Sequence, residues 1–150
     1  MNTCWRIAAI AFTVAGLGLS AGTATAGDEE SITLVERAAS DTVVDIGEKG
    51  DSVGDVLAFA NEIYDKSNAT LLGHDNGSCV RTVVGKAWEC FWTLTLEKGQ
   101  ITVEGPFYDT SDSVLAVTGG TGKYAEASGE MKLHARDAKG SEYDFVYSLR

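Results

Sequence analysis

From Ala69 to Arg150 the chain never runs far without a turn: short stretches of β-branched and aromatic residues are cut at regular intervals by glycine clusters. Such punctuation excludes a helical bundle and forces a many-stranded antiparallel arrangement. Residues 70–73 lead into His74-Asp75-Asn76-Gly77, which has the composition of a hairpin turn. Residues 79–84 and 87–97 pair around Val83-Val84-Gly85-Lys86. Lys98-Gly99 turns the chain into residues 100–103, and Gly105-Pro106 interrupts before Phe107-Tyr108. Residues 114–117 enter Thr118-Gly119-Gly120-Thr121-Gly122. Further on, Met131, Leu133 and Ala135 alternate with Lys132, His134 and Arg136, while Tyr143, Phe145, Tyr147 and Leu149 share one phase.

Upstream of this region, residues 32–34 and 43–46 read as strands, the first interrupted at Ala38-Ala39. Gly47-Glu48-Lys49-Gly50-Asp51 is a turn. Residues 52–65 are the one segment with helical spacing, because Val56, Phe59, Ala60 and Ile63 fall on one helical face and Asp55 suits the N-terminal end. Seven or eight short strands fit a sandwich or a closed barrel, and periodicity does not separate the two. In the central strand Cys90, Trp92, Leu94 and Leu96 form one face and Phe91, Thr93 and Thr95 the other. Bulk on both faces predicts a filled interior and a covered exterior, with a second copy of the chain, as dimer or trimer, the candidate cover.

The first 26 residues read as an address. Arg6 is their only charge; an apolar run over residues 7–19 follows, and small residues end at Ala24-Thr25-Ala26. That order predicts a signal peptide cleaved after Ala26, the run being too short to span a bilayer; an uncleaved anchor is the alternative. A domain over residues 27–150 remains, secreted and with no further membrane segment. The chain has a formal net charge of −10, and the leader removes only Arg6 from it. So acidic a protein repels phosphate backbones and anionic lipid, which disfavours nucleic-acid and membrane-surface roles.

Two cysteines remain after cleavage. Cys79 and Cys90 lie symmetrically about the turn at Val84-Gly85, so they face one another if the chain reverses there, and an exported protein favours their disulfide. The alternatives are two reduced core cysteines or, more weakly, a metal pair that has no third ligand nearby.

Four stretches carry a resemblance: Gly54-Asp55-Val56-Leu57-Ala58-Phe59-Ala60-Asn61-Glu62-Ile63-Tyr64, Gly77-Ser78-Cys79-Val80, Val103-Glu104-Gly105-Pro106-Phe107-Tyr108, and Ser113 through Tyr124 with its LAVTGGTG core. Their order and spacing resemble the plant allene oxide cyclases, and the glycine motif also resembles the dirigent proteins. The resemblance implies an all-β fold, an eight-stranded antiparallel β-barrel to which the residue pattern adds the one short helical segment. It also implies a largely apolar cavity, a trimeric habit and no cofactor. The expected partner is a flexible, hydrophobic, unsaturated small molecule, which the cavity pre-orders for cyclisation or isomerisation. Two further readings stay open: an extracellular binding protein without chemistry, and a dirigent-like auxiliary that steers another enzyme's radicals.

The resemblance places Asn61 at the family's water-binding asparagine and Cys79 at a cavity cysteine. The plant enzymes' first-strand Ser-Pro is absent, since Pro106 is the only proline. Glu36 takes the place of the first-strand glutamate in one register, and Thr33 stands there in the other. Catalytic candidates are therefore Asn61 and Glu36, and the substrate-binding candidates are Cys79, Trp92, Phe107, Tyr108 and Tyr124. Against these stand ordinary roles: backbone satisfaction for Asn61, solvent exposure for Glu36, core or subunit contact for the aromatics.

Other motifs carry less. Gly119-Gly120-Thr121-Gly122-Lys123 fails the phosphate-loop spacing, with Val117 and Tyr124 in its key places, and reads as a tight turn. His74 and His134 are far apart and read as surface residues, so no metal site is expected. Asn68-Ala69-Thr70 is a glycosylation sequon, meaningful only in a eukaryotic secretory route.

Overall fold

The computed structural model describes residues 29–150; the expected signal peptide, its cleavage point and Cys4 lie outside the described residues. Nine strands form one antiparallel sheet: β1 Glu30–Arg37, β2 Thr42–Val44, β3 Val56–Asp65, β4 Leu71–Val83, β5 Ala87–Leu96, β6 Gly99–Tyr108, β7 Ser113–Gly120, β8 Gly129–Ala135 and β9 Glu142–Leu149. From β3 to β9 each strand pairs with the next, and β1 then closes the barrel by pairing with both β9 and β3. Eight strands make the closed wall, which leaves no free edge.

The ninth, β2, continues the edge that β1 occupies on β3. Arg37 opposes Glu62 and Thr42 opposes Ala58, so the register slips by one residue across the intervening Ala38–Asp41 stretch. The expected interruption of the first strand is thus a bulge between two parts of one strand, and the bulge delivers Asp41 to the end of the barrel.

Three sequence expectations are corrected. The segment with helical spacing is β3, and the one helical element described is a 3-10 turn at Gly122–Tyr124. Its alternation was concealed by its residues: Asn61, a polar side chain, faces inward with Ile63, while apolar Ala58 and Ala60 face out. The expected turn at residues 74–77 is the middle of β4. The inner face of β4 reads Gly73, Asp75, Gly77, Cys79, Arg81, so turn-forming residue types stand where a barrel strand normally places bulk. Pro106 likewise lies inside β6, beyond the last β6–β7 pair at Glu104 and Ala116, where its missing N–H costs no bond to β7.

The interior is divided. One half is filled by Leu34, Ile63, Leu94, Ile101, Leu115, Met131, Phe145 and Tyr147, all at most 2 % exposed. Trp92 caps this core, packing against Phe59 at 5.9 Å and Phe145 at 5.7 Å between ring centroids. Above Trp92, toward the end where the β6–β7 and β8–β9 loops lie, packing is incomplete.

Candidate active site

The space above Trp92 is a slot of about 50 Å³. Its walls are Leu57 and Phe59 from β3, Cys79 from β4, Cys90 and Trp92 from β5, Phe107 from β6, Leu133 from β8, and Tyr143 and Phe145 from β9; Glu36 and Asp41 supply its carboxyls. At Gly77 a Cβ would stand 2.3 Å from both the Phe91 carbonyl oxygen and Trp92 Cβ, so no larger residue is tolerated beside the Trp92 backbone.

Cys79 and Cys90 oppose each other in register and are joined by a disulfide with Cα atoms 4.0 Å apart. The bond forms part of the slot wall.

The polar end is built around Asn61, which is 2 % exposed. Its Nδ2 donates to Glu36 Oε1 at 2.9 Å and to Asp41 Oδ1 at 2.8 Å. Its Oδ1 accepts from the Ala39 and Ser40 backbone N–H groups and from Ser40 Oγ, each at 3.0 Å. Both amide hydrogens are therefore committed, and Asn61 clamps the bulge and the two carboxyls together with none to spare for a water.

Glu36 is 5 % exposed, and Asp75, paired in register with Asn61, is fully buried. Asp75 Oδ1 accepts the Asn61 backbone N–H at 3.3 Å, while Oδ2 has no N–H or hydroxyl partner. The Glu36 carboxyl is its neighbour and, when protonated, its donor. Burial pushes Glu36 well above the usual carboxylate range, and the Asp75 and Asp41 charges push it further. Burial likewise raises Asp75 to about 7, against the opposing hydrogen bonds from Glu36 and Asn61. Two carboxyls this close share protons, and the arrangement places one on Glu36.

A second space of about 370 Å³ lies outside the slot, between the β6–β7 and β8–β9 loops. The two compartments share Phe107, Leu133 and Tyr143. Phe107 and Tyr143 meet edge to face at 6.0 Å, forming a partition between slot and vestibule.

Of the residues singled out from the sequence, Glu36, Cys79, Cys90, Trp92 and Phe107 line the slot, and Asn61 stands directly behind Glu36. Tyr108 is 41 % exposed and lines only the vestibule. Tyr124 is the buried last residue of the 3-10 turn at the opposite end of the barrel, away from the slot. Asn68 spends its side chain on Arg37 and Glu142, which leaves the sequon amide engaged. Asp41, Asp75, Phe59 and Tyr143 were missed. Asp75 would have emerged from a period-two reading continued through residues 73–81.

Residues 29–147 match the sequence model of the family described as allene oxide cyclase. A solved structure described as pyocyanin demethylase superposes with a TM-score of 0.68 at 26% identity, covering 79% of this chain and 100% of its own. A pterocarpan synthase dirigent protein gives 0.64 at 14% identity, with 82% and 94% covered. The exo-specific intermolecular Diels–Alderase AbnU gives 0.61 at 17% identity, with 82% and 98% covered. The latter two likenesses establish the barrel alone.

Proposed function

The chain belongs to the allene oxide cyclase family, and from that premise we propose that its barrel is a cofactor-independent cyclase or isomerase that moves protons on a small, conjugated, mainly apolar molecule. The observation that carries this reading is a buried carboxyl at the end of a largely aromatic slot: Glu36, held by Asn61 and pushed well above the usual carboxylate range by burial and by Asp75. A neutral acid in an apolar pocket donates a hydrogen bond or a proton to developing charge far more readily than a solvated carboxylate.

The cycle balances within the chain. Glu36 gives its proton to the substrate as electrons shift along the conjugated system. The resulting carboxylate lies beside the Asp75 carboxylate, and their repulsion makes it a stronger base. It then takes a proton back from the rearranged substrate, so nothing is consumed. The slot walls fix one conformer and keep bulk water from the reacting atoms. Asn61 acts as a positioning residue, through Glu36 and Asp41.

That the same barrel serves a demethylase, a Diels–Alderase and dirigent proteins supports assigning the chemistry to slot residues rather than to the scaffold. The cross-strand disulfide is compatible with the proposed export and with cleavage after Ala26. The committed hydrogens of Asn61 favour one second reading, a carrier that binds an apolar ligand unchanged.

The test is stereochemical. A short-lived allene oxide, supplied as its neutral methyl ester, is released in the presence of the purified protein, and the cyclopentenone is resolved on a chiral column. The expected result is an enantiomeric excess that Glu36→Gln abolishes. Racemic product from the unsubstituted protein, with an unaltered ligand extractable from it, would establish the carrier instead.

A further inference from the structure

Beyond the slot, the inner faces of β4 and β5 continue past the disulfide to one more pair, Arg81 opposite Trp88, and Trp88 in turn opposes Phe107 on β6. Arg81 is 7 % exposed. Its guanidinium lies on the Trp88 ring, with Cζ 3.9 Å from the ring centroid. Nη1 donates to both carboxylate oxygens of Asp109 at 2.9 and 2.8 Å, and Nε lies 2.7 Å from Asp51 Oδ1. Asp51 belongs to the β2–β3 loop and Asp109 to the β6–β7 loop, so one side chain ties two loops together across the barrel mouth. Each acid is braced in turn: Asp51 Oδ2 accepts the Gly85 N–H at 2.8 Å, and Asp109 Oδ1 accepts the Trp88 Nε1–H at 3.1 Å. Asp109 faces the vestibule, whereas Arg81, Trp88 and Asp51 face a separate chamber of about 420 Å³ beside β2. That chamber adjoins the slot, because its Val43 opposes the slot residue Leu57 in register and its Arg81 follows Cys79 on the inner face of β4. The two spaces nonetheless share no lining residue.

We propose that Arg81 determines the shape of ligand the slot accepts: bridged to Asp51 and Asp109 over Trp88, it bars the slot from the chamber beside β2, so that a slot ligand enters, leaves and extends a substituent through the vestibule alone. The inference rests on the slot being the ligand site, which the cyclase and carrier readings share, and adds that the ligand has one head and a single arm. A head with two diverging arms finds room for one of them in the vestibule, and the bar stops the other. An apolar side chain at position 81 would fill the same place without the cost of desolvating a charge. What the ions supply is geometry, since the planar guanidinium fork fixes both carboxylates and stacks on the indole at once. The bar opens when either carboxylate is lost.

3-Butoxyphenol and 3,5-dibutoxyphenol share a neutral head and differ by one arm, so calorimetric titration of the disulfide-bonded protein with each reads the bar directly. The parent is expected to bind the one-armed phenol about tenfold or more tighter. Arg81→Ala removes the bar and is expected to bring the two phenols within about twofold of one another. Asp109→Asn keeps the size of the side chain and frees one end of the bar, which decides the matter should the first variant fold poorly. In stopped-flow mixing with Asp109→Asn, association and dissociation of the one-armed phenol are both expected to quicken by a common factor of about three or more, with affinity held within about twofold. A residue that merely supported the wall would weaken affinity without opening a second route. Continued exclusion of the two-armed phenol from folded Arg81→Ala, or unchanged rates in Asp109→Asn, would overturn the inference. Equal binding of the two phenols by the parent, or no binding of the one-armed phenol, overturns it too, while the proton-transfer reading is judged separately by the chiral assay. Discrimination between the phenols alongside racemic product would leave the bar standing and remove the catalytic reading.

Discussion

Asn61 reaches Glu36 across the seam where β1 closes on β3, its Nδ2 resting 2.9 Å from Glu36 Oε1. The contact ties the closure of the barrel to the placement of a buried acid, because the same amide also pins the bulge through Ala39 and Ser40.

Asn61→Ala would release two carboxyls and three donors at once. Leaving buried polar groups unpaired is expected to lower the unfolding free energy by about 2–4 kcal/mol. Ser40→Ala removes only the hydroxyl that bridges Asn61 Oδ1 and the Ala60 backbone, and its expected cost is about 1 kcal/mol. Urea titrations of the two variants against the parent check the contrast.

The acid pair sets a pH dependence with a definite sign. Glu36 and Asp75 hold protons more tightly folded than unfolded, so the native state binds more protons above about pH 4, the range of free carboxyls. Stability is fully present below that range and falls as pH rises toward and through the Asp75 value of about 7. The slope per excess proton is about 1.4 kcal/mol per pH unit. In the opposite sense, Asp55 and Asp65 are held low by backbone N–H donors from Ile46 and Ala69 respectively, and their contribution is lost in acid. Stability should therefore peak near about pH 4–6. Denaturant unfolding at a series of pH values is expected to show the decline above the peak, and Asp75→Asn is expected to flatten it.

Most of the barrel was legible because its later strands alternate in the ordinary way: Met131 with Lys132, Leu133 with His134, and Tyr143 in phase with Phe145 and Tyr147. The cross-strand disulfide was legible because cysteine spacing and a glycine turn fix a register together. The polar half of the site was not. Sequence patterns assume that inward positions are apolar, and β3 and β4 turn Asn61, Asp75 and two glycines inward, a composition that imitates a helix in one strand and a turn in the other. Local propensity fails where acids, an amide and glycines stand at inward positions.

Gly77 tests that explanation. Its backbone is not in the left-handed region, and what forbids a side chain is the approach of Phe91 and Trp92. Gly77→Ala is expected to part β4 from β5 and displace Trp92, at a cost of about 2–3 kcal/mol typical of overpacking. A change in indole fluorescence together with a lowered urea midpoint would register it. An unchanged midpoint would mean that the strands yield freely.

The disulfide closes a loop with a sequence separation of 11. On the chain-entropy model so short a loop stabilises by about 2–3 kcal/mol. Unfolding with and without reductant should differ by that amount. Because both sulfurs lie in the slot wall, reduction should also weaken the binding of a slot ligand by more than the stability loss explains, and calorimetry on reduced, still-folded protein measures this directly.

The partition between slot and vestibule is the remaining determinant of ligand size. Phe107 is only partly buried, yet its ring separates about 50 Å³ of inner space from about 370 Å³ outside. Truncating it removes an edge-to-face contact with Tyr143 and part of an apolar wall, for an expected loss of about 1–3 kcal/mol in stability. The gain is a single continuous chamber. Phe107→Ala should therefore bind a flat three-ring aromatic such as acridine more tightly than the parent does, while two-ring quinoline, which loses wall contact and gains none, binds more weakly. Opposite shifts for the two ligands would identify Phe107 as a size filter. Parallel losses would identify it as ordinary packing, since a residue that merely supports the wall affects both ligands alike.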